Sequence, residues 1–336
     1  MRTVAGAIFL AVLVAACNLR AAAISENFAG APSARGWKIF GDGSLFHWNP
    51  TNQNLEVTWD SSRSNSFFQL PLGTVLSKSD DFALAFDLRL SDIAVGVNPG
   101  KPDTFEIAIG FLNSVNSTNT NYFRGMGVSA GYGVKNTIEF DYFPATPVIS
   151  ATFAPTAISS NNVIKFSDNH PLVMTTNDLF HIAMVYTASN QWLRTAVTRN
   201  GSAYGLAPSN TIKDLSLATH PDFRVDRLAV MNYSSALQFG STQFWGSILA
   251  HGTVDNFAVT VPDPPVANFT GAKSNATWRA NFVSRTNWAY SLERTLDFAT
   301  WSAASPTNSG NGGLMQFVDT NALPAGAFYR IKALKP

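Results

Sequence analysis

Apolar residues along this chain recur at every second position over short stretches. Phe82-Ala-Leu-Ala-Phe-Asp-Leu-Arg-Leu90 keeps its large apolar side chains on alternate positions, and so does Phe180-His-Ile-Ala-Met-Val-Tyr186. A period of two is that of a strand with one covered face. Further runs of this kind are Leu55–Trp59, Phe105–Phe111, Trp192–Thr198, Arg227–Tyr233 and Val254–Val261. Asn200-Gly201 follows one of them and predicts a tight hairpin turn. No segment sustains a helical period with caps. Residues 24–262 therefore read as one large all-β domain, a β-sandwich or jelly roll.

Val261-Pro-Asp-Pro-Pro265 breaks the pattern. Consecutive prolines cannot extend a strand ladder, so 263–265 reads as a stiff linker. Residues 266–336 form a second, smaller β unit. Its expected core anchors are Trp278, Phe282, Trp288, Tyr290, Leu292, Trp301, Phe317, Phe328, Tyr329 and Ile331. A unit of this size without cysteine is marginal, and its aromatic density is the compensation.

The start of the chain reads as a targeting segment, residues 1–23. Arg2 gives the positive start and Ala5–Ala16 are apolar, a run shorter than the ~20 residues a membrane span needs. Two processing readings compete. Ala21-Ala22-Ala23 suits cleavage after Ala23, which the early onset of β pattern at Asn27-Phe28 favours. Val14-Ala15-Ala16-Cys17 is similar to a bacterial lipobox, in which Cys17 carries lipid and anchors the protein to a membrane. Either reading places the protein outside the cell or in the cell envelope. Cys17 is the single cysteine, so no disulfide forms within the chain.

Among 336 residues, 46% are hydrophobic and only 13% charged, with a net charge of +1. Basic residues are scattered and no phosphate-binding loop occurs, so nothing points to nucleic acid.

The most informative run is Ile138-Glu-Phe-Asp-Tyr-Phe-Pro144. In a strand, Ile138, Phe140 and Tyr142 share one face and Glu139, Asp141 and Phe143 the other. Two neighbouring carboxylates on a sheet face suit a metal, sugar hydroxyls or the start of a glycosidase site. The plainest expectation is that they lie on a solvent-facing concave sheet. Asp87, Asp92 or Glu106 on a neighbouring strand would complete an acid pair. The segment from Asn113 to Gly127 is long, polar and rich in Asn, with Tyr122, Phe123 and Arg124 offering an aromatic platform and a charged donor for a sugar. Trp48, Trp59 and Trp245 are platform candidates or core residues. His181 reads as a half-buried structural residue. His251 and Asp255 fall on one face but too far apart to bond directly, and no nucleophile elbow supports a Ser-His-Asp relay.

Three stretches resemble the concanavalin A-like lectin and glucanase superfamily. Asn136-Thr-Ile-Glu-Phe-Asp-Tyr-Phe-Pro144 is similar to the metal strand of legume lectins, Val-Glu-(Leu/Phe)-Asp-Thr-Tyr-Pro. Phe180–Tyr186 followed by Gln191–Gly201 resembles the paired strands of laminin-G-like modules. Val254–Val261 matches the closing strand of such sandwiches. The smaller unit resembles β domains that end secreted bacterial proteins, through Tyr290–Arg294, Asp297–Trp301 and Ala327–Ile331.

The resemblance implies a concanavalin A-like sandwich over 24–262. Glucanases of this fold carry Glu-x-Asp-x-Glu on one strand. Glu139 and Asp141 match the first two positions, but Phe143 stands at the third and cannot pass a proton, so no catalytic residue is assigned. Legume lectins use the Glu and Asp of this strand for a double metal site. Here Ala145 replaces the expected Asn, and Val148, Ile149 and Ser150 offer no carboxylate. No metal ligand is assigned, and a single weak calcium on Glu139 or Asp141 stays open. The reading is a secreted, non-catalytic carbohydrate- or surface-binding protein. Glu139, Asp141, Asn113, Tyr122 and Arg124 are its expected sugar-binding residues, and a glycan or cell-surface polysaccharide is its partner. The alternatives are a glycoside hydrolase or polysaccharide lyase of this fold, and an adhesive envelope protein with a protein partner.

Overall fold

The computed structural model describes residues 21–97, 106–120, 122, 134–145, 150–166, 170–205, 211–212, 215, 220–234, 247–323 and 326–335. Cys17, Phe123, Arg124, Val148, Ile149 and Trp245 lie outside them. The chain divides into two compact units, Met1–Pro262 and Asp263–Pro336. Among the described residues no helix is long and apolar enough to cross a membrane.

The large unit is the all-β sandwich expected from the alternation. Sheet 1 runs in the order Ser202–Ala203, Trp192–Arg199, Phe180–Thr187, Phe82–Val95, Ile248–Pro262, Asn54–Asp60, Phe46–Asn49. Ala21–Glu26 pairs with Ile248–Pro262 as well. Cleavage after Ala23 would leave Ile24–Glu26 of that first strand. Sheet 2 runs Ile164–Phe166, Thr156–Ile158, Thr137–Phe143, Ile107–Leu112, Val225–Asn232, Ser66–Leu76, Lys38–Phe40. The described pairings within both sheets are antiparallel.

Alternation explains the core. Phe82, Leu84, Phe86, Leu88 and Leu90 are buried while Ala83, Ala85, Asp87 and Arg89 between them are not. From the other sheet Ile107, Ile109, Phe111, Ile138, Phe140 and Tyr142 join the same core. Phe86 meets Phe140 edge-on at 5.9 Å, and Phe82 meets Phe111 at 5.5 Å, so aromatic pairs tie the sheets together. Asn200 and Gly201, at φ 50° and 80°, form the expected two-residue turn between Arg199 and Ser202.

The two sheets differ on their outer faces. Sheet 1 leaves that face to solvent. The central strands of sheet 2, Ile107–Leu112 and Thr137–Phe143, are buried at every position. Their outer face carries a second apolar cluster of Phe67, Ala108, Leu112, Tyr122, Val134, Ile158, Ala229, Met231 and Tyr233.

The small unit has a three-stranded sheet, sheet 3 (Val266–Ser274, Thr277–Ser284, Leu314–Asp319), and a four-stranded one, sheet 4. Sheet 4 is built on Ala289–Thr295, which pairs with Ser302–Ala303, Asn308–Ser309 and Phe328–Leu334. Ala280, Phe282, Trp288, Tyr290, Leu292 and Phe317 are buried there. Trp278 stacks on Tyr329 at 4.0 Å and joins the two sheets. Five expected anchors are not fully in this core: Phe328 is 52% exposed, and Trp278, Trp301, Tyr329 and Ile331 are half-buried. In the strand Phe328–Leu334, Tyr329 and Ile331 turn inward, so Phe328 and Arg330 must face out.

Candidate functional site

The outer face of sheet 2 collects the acidic residues singled out in the sequence. Glu139 and Asp141 sit on the strand Thr137–Phe143 opposite Gly110 and Ala108 of the neighbouring strand. Those small residues leave room for the two carboxylates. A Cβ on Gly110 would lie 2.2 Å from the Ile138 carbonyl oxygen and 2.6 Å from Glu139 Cα, so glycine is required there. By strand parity Glu106 shares the face, two residues before Ala108, and it is buried too.

The expectation of a solvent-facing pair is corrected. Glu139 and Asp141 both have 0% exposure. The Tyr233 hydroxyl donates to Glu139 Oε2 at 2.7 Å. Tyr122 is buried as well, and its hydroxyl lies 2.8 Å from Thr137 Oγ1. Asn65 Nδ2 donates to the Tyr122 carbonyl, and Phe67 meets Tyr122 and Tyr233 edge-on. Tyr122 is thus part of the apolar cover on this face rather than an open platform. A hydrogen bond to a buried carboxylate contributes about 1.5–3 kcal/mol.

Asn113 stands at the rim of this face. Its side chain caps the short helix Ser114–Ser117, accepting from the amides of Val115 and Asn116 at 3.1 Å, and its Nδ2 donates to the Arg224 carbonyl. The Ser114 amide and hydroxyl both donate to Asp226, at 2.8 Å each. Asn136 Nδ2 donates to Asn116 Oδ1 at 2.7 Å, and Asn136 Oδ1 accepts from the Arg224 amide. The segment 113–120 is therefore fixed in place, with Thr118, Asn119 and Thr120 exposed. Arg124 lies outside the described residues.

The other two acids considered as partners do not reach this face. Asp87 and Asp92 lie on sheet 1. His181 Nδ1 is 2.7 Å from Asp87 Oδ1, and Asn256 Nδ2 donates to Asp87 Oδ2 at 2.9 Å. A register shift in the strand Ile248–Pro262 and a left-handed Asn256, at φ 51°, bring that amide across. Burial raises the Asp87 pKa, but the hydrogen bonds from His181 and Asn256 outweigh it and the net direction is down. His251 pairs with Asp92 at 2.8 Å rather than with Asp255. Both His–Asp pairs are cross-strand partners that periodicity alone does not reveal. Trp59 is fully buried in the sandwich core, and Trp48 is half-buried with its Nε1 donating to the Phe28 carbonyl.

Calcium takes ~6–8 oxygens, and one Glu139 oxygen accepts from Tyr233. Among the described residues no group of three or more His, Cys, Asp or Glu comes together to hold a metal ion.

No protein-family model matches the chain, and no curated protein matches it. Solved structures similar to it include legume lectins, which have the concanavalin A-like fold. Peanut lectin with a nine-residue peptide aligns at a TM-score of 0.46 and 15% identity, covering 71% of this chain and 97% of the lectin. Lectin I from Ulex europaeus, in complex with the methyl glycoside of alpha-L-fucose, aligns at 0.41 and 13%, covering 72% and 98%. A legume lectin-like domain from Entamoeba histolytica aligns at 0.39 and 11%, covering 70% and 95%.

Proposed function

We propose that this is a secreted or envelope-located, non-catalytic carbohydrate-binding protein whose partner is a glycan or cell-surface polysaccharide. The observation that carries the reading is the division of polar chemistry on sheet 2. Its acids Glu139 and Asp141 are buried, with Glu139 accepting from Tyr233, while Thr118, Asn119 and Thr120 at the rim are exposed on a segment held by side-chain hydrogen bonds. Retaining glycoside hydrolysis needs two carboxyls ~5–5.5 Å apart on either side of the scissile bond. A fully buried Glu139 bonded to a tyrosine supports a structural anchor instead. Glu139 and Asp141 then position the sugar-binding rim and do not touch the sugar. Preset amides and hydroxyls hydrogen-bond sugar hydroxyls with little ordering cost on binding. Arg2, the apolar run Ala5–Ala16 and the small residues Ala21–Ala23 support export.

A glycan array, read beside reducing-sugar release by wild type and Glu139→Gln, tests this. The expected outcome is selective array binding and no sugar release by either protein. Release by wild type that Glu139→Gln abolishes would overturn the non-catalytic reading. A blank array would overturn the carbohydrate one.

A further inference from the structure

We propose that Asn311-Gly312 is a self-modifying site, at which the asparagine amide is lost through a cyclic imide while the protein stays folded. The pair lies in the connection between the strands Asn308–Ser309 and Leu314–Asp319 of the small unit. The chain has two Asn-Gly pairs, Asn200-Gly201 and Asn311-Gly312. In both, glycine lacks the Cβ that would shield its amide nitrogen. The surroundings of the two asparagine side chains are opposite.

At Asn311 the side-chain carbonyl is activated. Its Oδ1 accepts from the Gly313 amide at 2.8 Å and from the hydroxyl of the buried Ser284 at 2.9 Å. Ser284 shares that proton with the Gly313 carbonyl at 3.0 Å. Donors aimed at an oxygen where negative charge develops stabilise a tetrahedral intermediate. They are preset here: the Asn311 amide donates back to Ser284 Oγ at 3.2 Å, and the Gly310 amide donates to the Trp288 carbonyl at 2.7 Å. Asn311 Nδ2 and the Gly312 amide make no hydrogen bond among the described residues, so the leaving nitrogen and the attacking one are both free. Asn311 is exposed, and water reaches it.

At Asn200 the leaving group is tied down. Nδ2 donates to Asp178 Oδ1 at 2.6 Å, and Oδ1 accepts from the Leu179 amide alone, at 3.0 Å. Release of ammonia there has to break a hydrogen bond to a carboxylate, one of the stronger kind.

The step needs only water. The Gly312 nitrogen gives its proton to solvent and bonds to Asn311 Cγ. The Cγ–Nδ2 bond breaks, and Nδ2 takes a proton and leaves as ammonia. Water then adds across one C–N bond of the imide and leaves aspartate or isoaspartate. The formal charge of the chain falls by one unit from +1. In the aspartate product the Ser284 and Gly313 donors hold a carboxylate, again the stronger kind of bond. The site is in the small unit and does not rest on the carbohydrate reading.

The test holds the full chain at neutral and mildly alkaline pH, folded or in guanidinium chloride. Mass spectrometry follows the conversion of amide to acid in the peptides that carry each pair. In the folded protein Asn311 should convert about tenfold or more faster than Asn200. In denaturant, where both are plain Asn-Gly, the two rates should converge. Folding should therefore suppress conversion at Asn200 and leave Asn311 at or above its denatured rate. Ser284→Ala removes one donor and should slow Asn311 about tenfold without changing Asn200, in a protein whose melting curve shows it folded. The proposal fails if folding slows both sites alike, or if the two rates differ as much in denaturant as in the folded chain. It also fails if Ser284→Ala speeds conversion at Asn311, since its bonds would then protect the amide. The comparison of folded with denatured wild type stands without any variant.

Discussion

On the outer face of sheet 1, Asp87 meets His181 at 2.7 Å with both side chains partly open to water. On the outer face of sheet 2, Glu139 meets Tyr233 at the same distance with no exposure. The local chemistry is similar: a carboxylate held by a partner 94 residues away. The setting differs, and the setting decides the role. A half-open polar pair is screened by water and salt. A sealed carboxylate makes its neighbours depend on it. A hydrogen-bonded carboxylate is thus part of a surface pair on one face of the sandwich and a structural anchor on the other.

Three substitutions probe this contrast. The largest effect is expected from Gly110→Ala, which drives a methyl group into the backbone beside Glu139. Its cost is about 3 kcal/mol or more, read as a lower denaturant midpoint; an unchanged midpoint would mean that the two strands are not so closely apposed. Next is Tyr233→Phe, which leaves the Glu139 carboxylate without its hydroxyl donor. A loss of about 2 kcal/mol is expected, where a neutral effect would place Glu139 in water.

The smallest effect belongs to Asp87→Asn on sheet 1. The folded Asp87 pKa lies below its ordinary 3.8. Its contribution to stability is therefore present above the ordinary value and fades as pH falls through the folded one. Removing the charge should lower stability at neutral pH by at most about 1 kcal/mol and flatten the acid limb by the same amount, leaving stability at low pH unchanged. A large loss at neutral pH would show that sheet 1 also depends on its polar pairs.

The sequence shows the faces more clearly than their surroundings. Period two separates Ile138, Phe140 and Tyr142 from Glu139 and Asp141, and the structure keeps that division. What covers this face is not written nearby: Phe67 and Tyr233 come from distant parts of the chain, and Tyr122 from the segment before this strand. One local signal was there to use. Gly110, alone inside an apolar alternating run, marks a close backbone approach, and it lies opposite Glu139. In the small unit, counting aromatic residues overfilled the core. Phe328 and Tyr329 are adjacent in one strand and cannot both point inward, so parity identifies Phe328 as the outward one once Tyr329 stacks on Trp278.

The pairing of Ala21–Glu26 with Ile248–Pro262 has a topological consequence. Ile24 lies opposite Val259 and Glu26 opposite Phe257, so the first and last described strands of the sandwich are neighbours in one ladder. Such a unit is a closed circuit with a small gap. It can be spliced into another protein, or opened at the Asn200-Gly201 hairpin and rejoined across the gap, without rerouting any strand.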